Sequence, residues 1–288
     1  MLNYLALPGQ VADGFTTNLV RYPLATALYL PLLIRAVRRA PLGRFWLTAL
    51  LPTGVNLAGQ TLWAMAPYYL EAGVIAFLLR TAALWGIVGA FIFFPDERRL
   101  ARMASFWLGT LLAAGGFVAM SWSTVAAAGR LQAAGIVIMF FCGICYGFYG
   151  VTVRYVMGRL HPLVVFAVIG NYTSVGLIAM APLGRPQSLL ELSGFSMGLL
   201  VISAITGITI AHGLYYVAVQ RIGAAVSSLM LSVTPFVSLL VSAVFMGDRF
   251  TALQAAGGTL LVAGAALAMH ARQRLPQSPR DPALPERE

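Results

Sequence analysis

The 288-residue sequence has no lysine, two cysteines and nine acidic residues. Charged residues supply 10% of it and hydrophobic ones 59%, where soluble domains run at about 25% and 45–50%. So little charge excludes a water-soluble fold, and the mean hydropathy of +0.83 agrees. No acid lies inside a long apolar run: Asp13, Glu71, Asp96, Glu97, Glu191 and Asp248 stand at run ends or in connections, and the other three are near the C-terminus. A carboxylate proton relay across a membrane therefore has no residues to use, which favours facilitated diffusion or exchange over proton-driven export. Also missing are a metal-ligand cluster, a glycine-rich phosphate loop and a nucleophile beside a base. Hydrolytic and transferase chemistry have no candidate site, and no cofactor is expected.

The cysteines, Cys142 and Cys145, imitate a redox motif but sit within Val-Ile-Met-Phe-Phe and Tyr-Gly-Phe-Tyr flanks. A reactive Cys-x-x-Cys needs a thiol activated at a helix N-terminus in a βαβ unit, so these read as small residues packed in a membrane helix, like Gly143-x-x-x-Gly147 beside them.

What the sequence has is apolar runs. A bilayer core about 30 Å thick takes roughly 20 apolar residues per helix. Nine candidate spans follow, at about 15–34, 45–66, 72–94, 104–123, 132–153, 162–181, 196–219, 223–246 and 252–270. Their connections are too short for soluble domains. Alternating the spans puts fourteen of nineteen basic residues, all arginine, on one side: Arg35, Arg38, Arg39, Arg44, Arg98, Arg99, Arg102, Arg154, Arg159, Arg221, Arg272, Arg274, Arg280 and Arg287. Only Arg130, Arg185 and Arg249 fall on the other. Cytoplasmic loops carry that excess, so the asymmetry orients the chain in a plasma membrane, explains the net charge of +10 and leaves no need for a nucleic-acid partner. Residues 271–288 are expected to form a disordered cytoplasmic tail and residues 1–14 an outer segment without the build of a signal peptide.

The chain repeats itself. Gly109-Thr-Leu-Leu-Ala-Ala-Gly-Gly-Phe-Val-Ala-Met120 matches Gly258-Thr-Leu-Leu-Val-Ala-Gly-Ala-Ala-Leu-Ala-Met269 at eight of twelve positions. Asp96-Glu97-Arg98 closes one helix as Gly247-Asp248-Arg249 closes another, and Thr53-Gly54-Val55 parallels Thr206-Gly207-Ile208. The fold class expected is an all-α polytopic membrane helix bundle built from inverted repeats of five helices. One repeat covers 15–123 and is expected to lack its first helix, and the other covers 131–270, so that nine spans are seen where ten are expected. Inverted repeats allow a central site to face either side by rocking one bundle against the other, which is the basis of alternating access.

These residues carry a resemblance. The stretch Ala211 to Met269, with Leu214-Tyr-Tyr-Val-Ala-Val-Gln-Arg-Ile-Gly-Ala-Ala-Val, Thr234-Pro235, Gly247-Asp248-Arg249 and Gly257-Gly258, resembles the second repeat of EamA-type members of the drug/metabolite transporter superfamily. Trp63 to Met120 resembles the first repeat less closely. The resemblance implies a ten-helix transporter with a central cavity and both termini inside. Arg80 departs from it, since the family has a small or apolar residue there and a proline matching Pro235 is absent from that half. The function expected is transport of small polar metabolites, amino acids or related carboxylates, with export one direction. A membrane enzyme acting on lipids and a non-transporting assembly or receptor protein are the competing readings.

Several polar residues inside spans are candidates. Arg80 lies about three residues, roughly 4–5 Å, from the middle of its span. It either binds an anion in the cavity with its planar fork of donors, or caps backbone carbonyls or pairs with Glu71 or Asp13. Arg21, followed by Tyr22, is a second cation, nearer the interface; a field from both would favour anionic or zwitterionic substrates. Asn56 and Gln60 share one helix face, and Thr209, His212 and Tyr216 share another. Tyr146, Tyr149 and Asn171 complete the candidate lining, each open to a role as interhelical glue instead. Pro235 frees a carbonyl and is a candidate hinge. No metal site is expected.

Overall fold

The structure, a computed structural model, describes residues 13–126, 132–246 and 251–275. The outer segment before Asp13, Arg130, the Gly247-Asp248-Arg249 boundary and the tail beyond Leu275 lie outside the described residues. All regular elements among the described residues are helices: α1 (Gly14–Ala27), α2 (Leu30–Arg39), α3 (Leu50–Met65), α4 (Ala72–Leu79), α5 (Thr81–Phe93), α6 (Ala104–Ala126), α7 (Ala133–Met157), α8 (Pro162–Ala179), α9 (Gly194–Ala204), α10 (Ala211–Ile222), α11 (Ala224–Leu231), α12 (Thr234–Met246) and α13 (Ala252–Gln273). The protein is an all-α polytopic bundle. Helices α4–α5, α6, α7, α8, α9–α10, α11–α12 and α13 are long and apolar enough to cross a membrane.

The first two expected spans differ from expectation. Instead of one rod over 15–34, α1 and α2 meet at a 45° bend. Pro31 cannot donate to the carbonyl of Ala27, and the turn tightens through Tyr29 N–H to Thr26 O at 3.0 Å. Beyond the bend nothing in α2 is buried. Leu30, Leu33, Ile34 and Val37 line one face and Arg35, Arg38 and Arg39 another, the pattern of a helix lying in a membrane interface. In the second expected span, α3 has 16 residues, about 24 Å, with a helical turn at Phe45–Thr48 before it and a 3₁₀ turn at Ala66–Tyr68 after it. It is therefore shorter than a single rod across the bilayer core.

Packing is set by close backbone approach, since lipid supplies no hydrophobic drive between helices. Along α5 and α7, Gly86 lies against Ser228 and Gly147, while a Cβ on Gly147 would come 2.5 Å from Trp85 Cβ. The Gly143-x-x-x-Gly147 pair is thus a packing device. The two copies of the duplicated segment pack on each other. A Cβ on Gly109 would meet Gly264 O at 2.6 Å, and one on Gly264 would meet Gly109 O at 2.5 Å. Gly116 and Gly257 are reciprocal in the same way, at 2.5 and 2.7 Å. Residue numbers rise along α6 as their partners fall along α13, so the pair is antiparallel, as equivalent helices of inverted repeats must be. The contacts equate Gly109 with Gly257 and Gly116 with Gly264, one residue away from the alignment with most identities. Packing follows the glycines seven apart in each helix rather than the string of matching letters.

The two ends of the bundle gather the expected loops. At one end Arg154, in the last turn of α7, pairs with Glu97 and, at 2.6 Å, with Asp96, and stacks over the Phe94 ring at 4.3 Å. The Glu97 carboxylate, on a residue only 1% exposed, accepts the N–H groups of Ala224 and Ala225 at 2.8 Å each. An anion at that position complements the N-terminal dipole of α11. Gly223 makes the fit possible with φ of 88° and with no Cβ to strike the carboxylate. Arg272 Nε donates to Ile222 O at 3.1 Å nearby. At the other end Asp13 caps α1 through Thr16 N–H and accepts the N–H of Arg185, both at 2.9 Å.

Alanine at Gly116 or Gly264 should cost roughly 1–3 kcal/mol by overpacking. Gly115→Ala, whose Cβ would meet nothing within 4 Å, should be neutral. Thermal unfolding in detergent measures both. Glu97→Ala leaves Arg154 short of its buried partner and α11 uncapped, and should cost about 3 kcal/mol or more by the same measurement.

Candidate functional site

An arginine in a bilayer core costs several kcal/mol unless it turns inward, and α1 turns Arg21 inward. Asn18, Arg21 and Tyr22, spaced three and four apart, share a face and are all buried. Arg21 Nε donates to Ser203 Oγ at 3.0 Å and Nη1 to Asn18 Oδ1 at 3.4 Å. Asn18 Nδ2 donates to Gln60 Oε1 at 3.2 Å, and Gln60 Nε2 to the Tyr22 hydroxyl at 2.6 Å. Asn56 Nδ2 reaches Thr173 Oγ1 at 3.2 Å and Tyr22 at 3.5 Å. The network thereby joins α1, α3, α8 and α9. Arg21 is 8% exposed, its named partners are neutral, and among the described residues it belongs to no ion pair.

A wall of rings continues the network. His212 stacks on Phe166 at 5.7 Å and meets Tyr22 and Tyr149 edge-on at 6.3 and 6.4 Å. The hydroxyls of Tyr149 and Tyr216 are 2.6 Å apart. Ser203 and His212 reach this place from opposite sides of a π-helical segment, Ile205–Ile210, which joins α9 to α10. Such wide turns are frequent at functional sites. Two partners from the first helical unit bind the segment: Tyr29 donates to Thr209 O at 2.9 Å, and Thr209 donates to Ala25 O at 3.3 Å. Within this closed arrangement two buried polar atoms have no hydrogen-bond partner, the acceptor Asn56 Oδ1 and His212 Nδ1.

The structure brings Arg21, Asn56, Gln60, Tyr149, His212 and Tyr216 together. Tyr146 adjoins them, its ring 3.5 Å from where a Cβ on Gly59 would stand. Cys142 donates to Gly59 O at 3.6 Å beside it, in a packing role. Asn171 faces elsewhere, donating to Ala167 O at 2.7 Å and receiving Thr26 at 3.5 Å, as glue between α8 and α1. Asn18, Thr173 and Ser203 were not among the sequence candidates. Only Asn18 had a signal, its spacing of three from Arg21; isolated hydroxyls in spans are too common to single out.

Arg80 belongs to a different place. It forms the joint between α4 and α5, and its Nη1 donates to Leu231 O at 2.8 Å. Leu231 is four residues before Pro235, so its carbonyl is the one that the proline cannot satisfy. Thr234 Oγ1 donates to the same oxygen at 2.8 Å. Pro235 accordingly marks a break, α11 ending at Leu231 and α12 starting at Thr234. Carbonyl capping is thus the role of Arg80 seen in the geometry, and Asp13, taken up by Thr16 and Arg185, is not its partner.

The all-helical polytopic bundle thus holds a buried polar network contributed by several helices. The model of the EamA-like transporter family matches residues 133–269, just under half of the chain. That family is one of transporters rather than enzymes. No curated protein matches the chain. A crystal structure of another protein covers 92% of this chain and 90% of its own, with TM-score 0.73 and 17% identity, a likeness that shows the fold.

Tyr22→Phe removes the acceptor shared by Gln60 and Asn56. It should lower stability by about 1–3 kcal/mol, read from thermal unfolding, because the buried Gln60 amide loses its acceptor and Asn56 keeps only Thr173.

Proposed function

We propose that the protein moves amino acids or related carboxylates across a bacterial plasma membrane by alternating access, in the export direction. The arginine-rich end and the C-terminus face the cytoplasm in this reading. The substrate sits at Arg21, with its carboxylate on the guanidinium and its ammonium group on Asn56 Oδ1. The rings of Tyr22, Tyr149 and Tyr216 surround it, with His212 and Gln60 orienting its polar groups. One observation carries the proposal. Arg21 is a buried cation with neutral partners, in a hydrogen-bonded network whose member Asn56 has an acceptor with no donor of its own. A buried charge of this kind is a ready partner for an oppositely charged ligand. Rocking of the bundle about the α6–α13 pair would expose the network to either side in turn.

The test is transport in proteoliposomes across a panel of amino acids and small carboxylates, loaded inside or outside to read direction. Arg21→Ala should lower transport about 10- to 100-fold, as expected for loss of charge-assisted hydrogen bonds. Asn18→Asp is the sharper variant. It sets a carboxylate of the protein on the guanidinium, so stability should rise while transport falls. Unaltered transport in both variants would remove Arg21 from the site. A folded wild type that moves nothing on the panel would favour the assembly or receptor reading.

A further inference from the structure

Between α4–α5, α6 and α11 lies a hollow of 160 Å³, away from the Arg21 network. Its walls are apolar, with Phe77, Ile87, Phe117 and Leu229 among them, and Arg80 is the one charged residue in the lining. The hydroxyls of Thr81, Thr110 and Ser232 also face it, but each donates to a carbonyl of its own helix, at 2.8, 2.9 and 2.6 Å. Open donors remain on Arg80: Nη1 is held by Leu231 O, while Nε is buried without a partner. Leu84 and Val118 of its lining are 53% and 45% exposed, on helices apolar enough to cross a membrane, so the hollow opens toward the lipid-facing side there.

We propose that this hollow binds the carboxylate head of a long-chain fatty acid entering sideways from the bilayer. One cation with donors left unused matches a single anionic head, and apolar walls match the first methylenes of a chain whose remainder lies in lipid. Sugars and zwitterions would leave polar groups unpaired there. The volume is well below the roughly 300–1,000 Å³ of sites for drug-sized ligands and suits a carboxylate better than a whole phospholipid headgroup. Because the same guanidinium holds the carbonyl freed by Pro235, the ligand would sit against the break between α11 and α12. The site is separate from the transport site proposed at Arg21 and does not depend on it.

The experiment is binding of radiolabelled oleate to the full chain in phosphatidylcholine nanodiscs. Saturable binding is expected, weakened about tenfold or more in Arg80→Gln, largely kept in Arg80→Lys, and blocked by Leu84→Trp, which fills the mouth and is exposed enough to fold. Arg21→Ala should bind oleate as wild type does. Methyl oleate and hexanoate should compete poorly. Absence of saturable binding, or equal binding in Arg80→Gln and Leu84→Trp, would overturn the proposal. So would equal competition by methyl oleate, which would make charge irrelevant, or by hexanoate, which would make the site water-facing. Displacement by phosphatidylglycerol at comparable concentration would replace the fatty acid with a phospholipid phosphate and overturn the carboxylate assignment. Should Arg80→Gln fail to fold, Leu84→Trp decides.

Discussion

In a bilayer core no water is at hand, so each polar group of the chain must find a partner inside the protein or wait for a ligand. This constraint accounts for the irregular places of the bundle. Where Pro235 withholds an N–H, Arg80 and Thr234 converge on the orphaned Leu231 carbonyl. Where α9 widens into a π turn, Tyr29 and Thr209 tie it to the first helical unit. Where α11 starts without a polar cap of its own, Glu97 arrives from the connection between α5 and α6. Helix breaks that lipid would forbid are tolerated because a side chain from a distant segment closes each one.

The same constraint separates the two intramembrane arginines. Arg21 belongs to a network of amides, hydroxyls and rings from six helices, α1, α3, α7, α8, α9 and α10, an environment whose chemistry suits a charged or zwitterionic guest. Arg80 has a backbone carbonyl and apolar walls, an environment suited to a structural bond and one anionic head. Two cations of equal formal charge therefore differ in chemistry through their neighbours. The paired carboxylates at Arg154 make a third case, in which the charge is neutralised within the protein and holds three segments at one end of the bundle.

Much of the fold was legible beforehand because hydrophobic length and arginine placement are one-dimensional signals. Seven of the nine expected spans coincide with helices long and apolar enough to cross a membrane, and the connections and helix ends holding Asp96, Glu97, Arg154, Ile222 and Arg272 meet in space. The misses have local causes. A window of apolar residues over 15–34 does not register that Pro31 bends the helix, nor that the second half of the run is amphipathic. Identity counting put the repeat one residue away from the register that the glycines of α6 and α13 use. Of the site, Arg21, Asn56, Gln60, His212, Tyr149 and Tyr216 were visible as polar letters in apolar runs, whereas Ser203 and Thr173 were indistinguishable from ordinary helix-packing hydroxyls.

The sequence by itself determined the solvent of this protein, its helical class and the family model that its second half matches, since each depends on composition or on order along the chain. Tertiary structure alone decided which polar residues are neighbours. Arg80 and Arg21 are alike as letters in apolar runs, and only the three-dimensional path of α1, α5, α9 and α11 sets one against a network of neutral donors and acceptors and the other against a carbonyl 151 residues away. Hydrogen bonds and cation–ligand contacts act over about 3 Å, a range that hydropathy along a chain does not resolve.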